Sequence, residues 1–202
     1  SRLSLEVNGR FGPLQPTLDV SMVDVVGRLG KVEATAKGKV MAGRLELDVQ
    51  IPHVSTDDIP MDLQLAKPVA LNHIQAQLVV PLFINERLSL SSGVRIDPLN
   101  LDLQVGESII HLSGKGSPER LHLVGESSAI FTQDFPLPLT VQHPFSLEQI
   151  RFETVIEGAR VNLASFTAKA FRGNLEAQGV WDGTIPAPLL SLQGNLTHFA
   201  VE

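Results

Sequence analysis

The sequence predicts an all-β chain of mostly antiparallel strands, and three observations carry that expectation. Apolar residues recur at every second position along most of the chain, turn sequences containing glycine or proline separate these stretches, and no stretch sustains the 3.6-residue period of an amphipathic helix. Period two places alternate side chains on one face of a pleated sheet, so each stretch reads as a strand with an apolar side.

The elements follow in order. A first strand runs through Leu3, Leu5 and Val7 before the turn at Gly12-Pro13, and a later one carries Val32, Ala34, Ala36 and Val40. Across Ala42-Gly43 the alternation resumes in Leu45, Leu47, Val49 and Ile51. Pro52, Pro60 and Pro68 then thin the pattern up to Leu71, because proline has no N–H to give to a ladder. The run from Leu78 to Ile84 is the longest apolar one, is interrupted by Pro81, and falls far short of the roughly 20 residues a membrane-spanning helix needs. Beyond Ser92-Gly93 come Leu99, Leu101, Leu103 and Val105, and beyond Gly114-Lys115-Gly116 come Leu121 and Leu123.

Pro136, Pro138 and Pro144 mark the best candidate boundary, giving an N-terminal β segment over 1–138 and a C-terminal one over 139–202, or one continuous domain if the prolines lie at a sheet edge. The densest pattern follows, from Phe145 to Trp181, closed by Asp182-Gly183. Roughly a dozen to fifteen strands are expected in all. Only Thr56-Asp57-Asp58-Ile59-Pro60 and Ser146-Leu147-Glu148-Gln149 offer helix-capping residues, enough for a single turn each.

Composition narrows the function classes. The chain of 202 residues is 43% hydrophobic and 19% charged with a mean hydropathy of +0.13, too apolar for a disordered segment. A net charge of −6 with scattered Lys and Arg supplies no basic field, so nucleic acid is not an expected partner. The absence of cysteine excludes disulfides, thiol nucleophiles and cysteine metal sites. Both ends, SRLSLEVNG and THFAVE, run in strand rhythm, which reads as a segment of a longer protein with its targeting sequence upstream.

Candidate chemistry is sparse. His53 with Asp57 and Asp58 is the one place where a ring nitrogen and two carboxylates lie close in sequence, yet the spacing matches no ligand motif and suits a solvated turn. His73, His111, His122, His143 and His198 stand alone in sequence and read as surface histidines. No serine lies in a nucleophile elbow, and the glycines form neither a dinucleotide nor a P-loop fingerprint. Asn195-Leu196-Thr197 is a chance glycosylation sequon, and Trp181 near a strand end reads as covering a core edge. No catalytic residue, metal or cofactor is expected.

What remains is the apolar face. Periodicity alone leaves two readings open, the interior of a closed β-sandwich and the lining of an open trough, because both need the same alternation. The run Phe152-Glu153-Thr154-Val155-Ile156-Glu157-Gly158-Ala159-Arg160-Val161-Asn162-Leu163 is a strand, an acid-Gly turn and a second alternating strand. It continues through Ser165-Phe166-Thr167-Ala168-Lys169-Ala170-Phe171-Arg172-Gly173-Asn174-Leu175 into an outgoing strand that ends at Trp181. In this the C-terminal quarter resembles the AsmA-like superfamily of bacterial envelope proteins, most closely its YdbH-like branch, with Arg172 standing where such proteins often carry a second glycine.

The resemblance implies an extended, curved, mostly antiparallel sheet forming an open apolar β groove that bridges the periplasm from an inner-membrane anchor in the parent protein, with phospholipid acyl chains sliding along the apolar interior. It further implies an outer-membrane lipoprotein that extends the groove by strand pairing. On the supposition that alternate positions face inward, the expected lining residues are Val161, Leu163, Phe166, Ala168, Phe171, Leu175 and Ala177.

Overall fold

The computed structural model describes residues 3–10, 19–29, 31–41, 43–56, 67–81, 93–134, 145–185 and 189–198. They form one sheet of twelve strands whose spatial order is the chain order. The strands are β1 (Leu3–Arg10), β2 (Asp19–Leu29), β3 (Val32–Met41), β4 (Arg44–Ser55), β5 (Val69–Pro81) and β6 (Arg95–Val105), then β7 (Ser108–Gly116), β8 (Arg120–Phe131), β9 (Ser146–Glu157), β10 (Arg160–Ala170), β11 (Gly173–Asp182) and β12 (Leu189–Thr197). Each pairs antiparallel with the next, and β1 does not pair with β12, so the curved sheet stays open. The expected all-β, curved antiparallel architecture is what the chain adopts, and the described residues form this one open sheet with no second sheet packed on it, so they do not make a closed sandwich.

Surface area makes the same point. A compact monomer of 21.9 kDa exposes about 9,300 Å², whereas this chain exposes 14835 Å². Buried apolar side chains among the described residues are correspondingly few and cluster in the middle of the sheet: Val105, Ile110, Leu123, Ile150, Ala168 and Ala170.

Tight turns hold the meander together. Two residues join β6 to β7, β9 to β10 and β10 to β11, and Gly106 (φ 58°) and Gly158 (φ 57°) supply the left-handed backbone that such turns need. The β10–β11 turn does this without glycine, at Phe171 (φ 50°) and Arg172 (φ 61°). β7 and β8 are joined through reciprocal bonds, Ser117 N to Arg120 O at 2.8 Å and Arg120 N to Ser117 O at 3.1 Å.

One sequence expectation changes. Ser146–Gln149 is the start of β9 and no helical turn, because Leu147 and Ser146 pair with Ile130 and Phe131 of β8 and the ladder outweighs a local cap. Of Thr56–Pro60 only Thr56 lies within the described residues, where its hydroxyl accepts a bond from Val69 N at 3.3 Å. The 138/139 division falls outside the described residues, and the strands on either side, β8 and β9, pair from Arg120↔Glu157 to Phe131↔Ser146.

Besides the 3₁₀ residue at Thr56, a 3₁₀ turn over Thr132–Asp134 fastens the end of β8 to the β6–β7 turn. Asp134 is 2% exposed and accepts bonds from Glu107 N (3.0 Å), Ser108 N (3.1 Å) and Ser108 Oγ (2.8 Å), with Lys67 as its ion partner. The Lys67 ammonium, ahead of the Ser108 hydroxyl and the Glu107 amide, holds its carboxyl below the usual range against the opposing effect of burial. Thr132 ties the far end of the connection, accepting at Oγ1 from Phe145 N (3.1 Å) while its own N donates to Phe145 O (3.0 Å).

Candidate functional site

The register of the ladders turns the alternation of each strand into continuous rows across the sheet. One row runs Val23, Gly38, Leu47, Leu78, Ile96, Gly116, Leu121, Ile156, Val161, Trp181 and Leu190, each residue directly opposite the next from β2 to β12. The neighbouring row runs Val25, Ala36, Val49, Ala76, Leu99, Gly114, Leu123, Thr154, Leu163, Gly179 and Leu192. A third joins Leu101, Leu112, Gly125, Phe152, Phe166, Ala177 and Gly194. No charged residue interrupts any of them, and the hydroxyl of Thr154, 7% exposed, is spent inside the sheet on Asn162 O at 2.9 Å.

Bulges keep the face intact. Leu163 and Phe166 are three residues apart, which would put them on opposite faces of a regular strand, but the register shifts between them and both stay in line. The same device acts between Leu71 and Ile74, where His73 takes φ 51°, and between Ile96 and Leu99 at Asp97-Pro98. Each bulge reverses the parity of the sequence and preserves the side of the sheet.

The apolar face is also the crowded one. A Cβ built on Gly38 would lie 2.6 Å from Leu47 Cδ2, on Gly114 2.5 Å from Leu123 Cδ2, on Gly125 2.1 Å from Phe152 Cζ, and on Gly179 3.0 Å from Leu192 Cδ1. In all four cases the larger residue is the direct partner on the next strand. Glycine leaves room there for the large neighbour and, at Gly38, Gly114 and Gly179, for a partner-strand carbonyl as well (Glu46 O 2.2 Å, His122 O 2.5 Å, Ser191 O 2.5 Å).

The opposite face is polar and spread out. Cross-strand pairs Lys39–Glu46 (3.4 Å), Arg120–Glu157 (3.1 Å) and Glu126–Arg151 (3.5 Å) sit there, each exposed and contributing less than about 1 kcal/mol. The histidines are less solitary than their sequence positions suggest. His73 Nδ1 (3.0 Å) and His111 Nδ1 (2.6 Å) both meet the Asp102 carboxylate, and His122 Nε2 meets Glu153 at 2.7 Å. Hydrogen bonds from His73 and then His111 hold Asp102 below its ordinary pKa. Only the register brings these groups together, so no spacing in the chain announces them. His53 Nδ1 meets Asn72 Oδ1 at 2.6 Å, while Asp57, Asp58 and His143 lie outside the described residues. No cluster of three or more metal-ligating side chains is found among the described residues.

The expected lining residues divide into two groups. Val161, Leu163, Phe166, Ala168, Leu175 and Ala177 share the apolar face, with Ala168 5% exposed and opposite Leu175. Phe171 does not join a row. It stands 51% exposed in the β10–β11 turn, its ring 4.8 Å from that of Phe145 at 41°. Trp181, expected to cover a core, is 39% exposed, the described residues forming no second layer to receive it, and it lies in the first row between Val161 and Leu190. Leu189, Leu190 and Leu192 of the edge strand β12 are each about three-fifths exposed.

Comparison with known proteins found no matching family model, no matching curated protein and no matching solved structure.

Proposed function

We propose that this chain is a lipid-carrying groove module, in which phospholipid acyl chains lie on the apolar rows while headgroups remain in water. The observation that carries the reading is the unbroken, uncharged strip that crosses the sheet from Val23 to Leu190 with no second layer over it among the described residues. Burying an acyl chain there gains about 0.8 kcal/mol per methylene, and a strip built mainly of Leu, Val, Ile, Ala and Gly offers similar affinity along most of its length. A chain can then slide along it without being trapped. The reading needs no reacting group, and it places the module in the periplasm, within an inner-membrane-anchored protein that moves phospholipid between the inner and outer membranes.

The open edge at β12 supports a partner that adds a strand. Its outer row of backbone groups is unpaired in the sheet, and its exposed leucines would continue the strip onto the next strand, as an outer-membrane lipoprotein joined by β-augmentation would require.

The test is direct. Protein purified from bacteria and opened in organic solvent should release phospholipid in stoichiometric amount, and the delipidated protein should take up a phospholipid with a fluorescent acyl chain. Protein that carries no lipid and takes up none would refute the reading.

A further inference from the structure

At one strand-end rim of the sheet, a half-open cavity of about 630 Å³ lies between the end of β8, the start of β9 and the β10–β11 turn. Its apolar wall is Phe131, Phe145 and Phe171, and its polar wall holds Lys169, Arg172 and Glu148. It reaches round the strand ends, since Ala170 beside Phe171 is 5% exposed on the apolar side while Lys169 and Glu148 are exposed. Lys169 and Glu148 are directly opposite in the β9–β10 ladder, yet none of the ion pairs among the described residues joins them. Both charges thus remain available to a ligand.

The local backbone is held in place for this arrangement. Phe171 and Arg172 both adopt left-handed φ, a conformation that costs non-glycine residues strain and persists where the surroundings impose it. The Phe171 ring leans on Phe145, which the two bonds with Thr132 anchor in turn.

We infer that this rim is a headgroup site for an amine-bearing phospholipid. Resting on the groove reading above, it places the phosphate between Lys169 and Arg172, the amine on Glu148, and the glycerol end of the chains on the phenylalanines. Two cations and one anion match a phosphodiester that carries an ammonium better than one that carries a neutral alcohol, in a protein whose overall charge of −6 otherwise repels phosphate.

The experiment measures uptake of three probes with the same fluorescent acyl chain: phosphatidylethanolamine, phosphatidylglycerol and diacylglycerol. The wild-type chain should prefer phosphatidylethanolamine to diacylglycerol by about tenfold. Lys169→Gln with Arg172→Gly should abolish that preference and leave diacylglycerol uptake unchanged; glycine relieves the strained turn, so loss of fold does not confound the result. Glu148→Gln should shift preference toward phosphatidylglycerol. Retained preference in the double variant, or displacement of the probe by inorganic phosphate as readily as by glycerophosphoethanolamine, overturns the headgroup site. Equal uptake of all three probes by the wild type overturns the site but not the groove, whereas no uptake of any probe, diacylglycerol included, overturns both.

Discussion

The Phe152 ring lies over Gly125, its direct partner across the β8–β9 ladder, so closely that a Cβ on Gly125 would stand 2.1 Å from Cζ and 2.3 Å from a second ring atom. The pair behaves as one filled position: the glycine leaves a gap and the aromatic occupies it. Gly125→Ala should destabilise the chain by about 1–3 kcal/mol, and Phe152→Leu on the same background should recover part of that loss. Urea titration of the four members of the cycle measures the coupling, which strict additivity would disprove. Gly114→Ala offers a contrast, because its Cβ would meet His122 O at 2.5 Å as well as Leu123. Trimming Leu123 should not rescue it, since the backbone remains in the way.

Acid should release the 3₁₀ turn from the β6–β7 turn. Asp134 has a folded-state pKa below its unfolded value, so its contribution is fully present above the ordinary aspartate range near 4 and is lost as pH falls through the lowered folded value. The urea midpoint of the wild type should therefore fall steeply on the acid side of about pH 4. Asp134→Asn should lower the midpoint at pH 7 and flatten that acid limb, and an unchanged pH profile would show that the carboxylate plays no such part.

Charge on the strip should stop lipid loading where charge behind it does not. Leu163 lies mid-strip between Thr154 and Gly179, whereas Gln178 is exposed on the other face of β11. Leu163→Asp should reduce co-purified phospholipid by about tenfold, since a carboxylate among acyl chains costs several kcal/mol. Gln178→Asp should carry wild-type amounts by mass spectrometry. Equal loss in the two variants would place the lipid elsewhere.

The β12 edge should be adhesive. Leu190 and Leu192, at 59% and 63% exposure, flank an unpaired row of backbone donors and acceptors with no charge to discourage pairing. Concentration-dependent association is expected by sedimentation, and Leu190→Lys with Leu192→Lys should suppress it. Association that persists in the double variant would assign the contact to another surface.

The strands were legible because alternation is a property of neighbouring residues: Val161, Leu163, Leu175 and Ala177 announce a face without any knowledge of what lies across from them. The three-residue step from Leu163 to Phe166 was visible too, but whether it ended a strand or bulged it depends on the partner register. What escaped was whatever two strands create together. The glycine pockets under Leu47, Leu123, Phe152 and Leu192, the two histidines on Asp102, and the hold of Asp134 on Ser108 all join residues whose separation in the chain carries no signal. The single-layer outcome was equally hidden, since a face that will be covered and a face that will not share one alphabet.

Because sheet order is chain order, each inner strand pairs only with its two immediate neighbours in the chain. Such an array has no natural length. Inserting one hairpin would extend the strip by roughly 10 Å without repacking any existing strand, and removing one would shorten it by as much, so the length of the strip can be set by counting hairpins. The same independence exposes a weakness: with no core shared between its ends, the sheet should come apart in sections, each opening at its own denaturant concentration, as linear repeat arrays do.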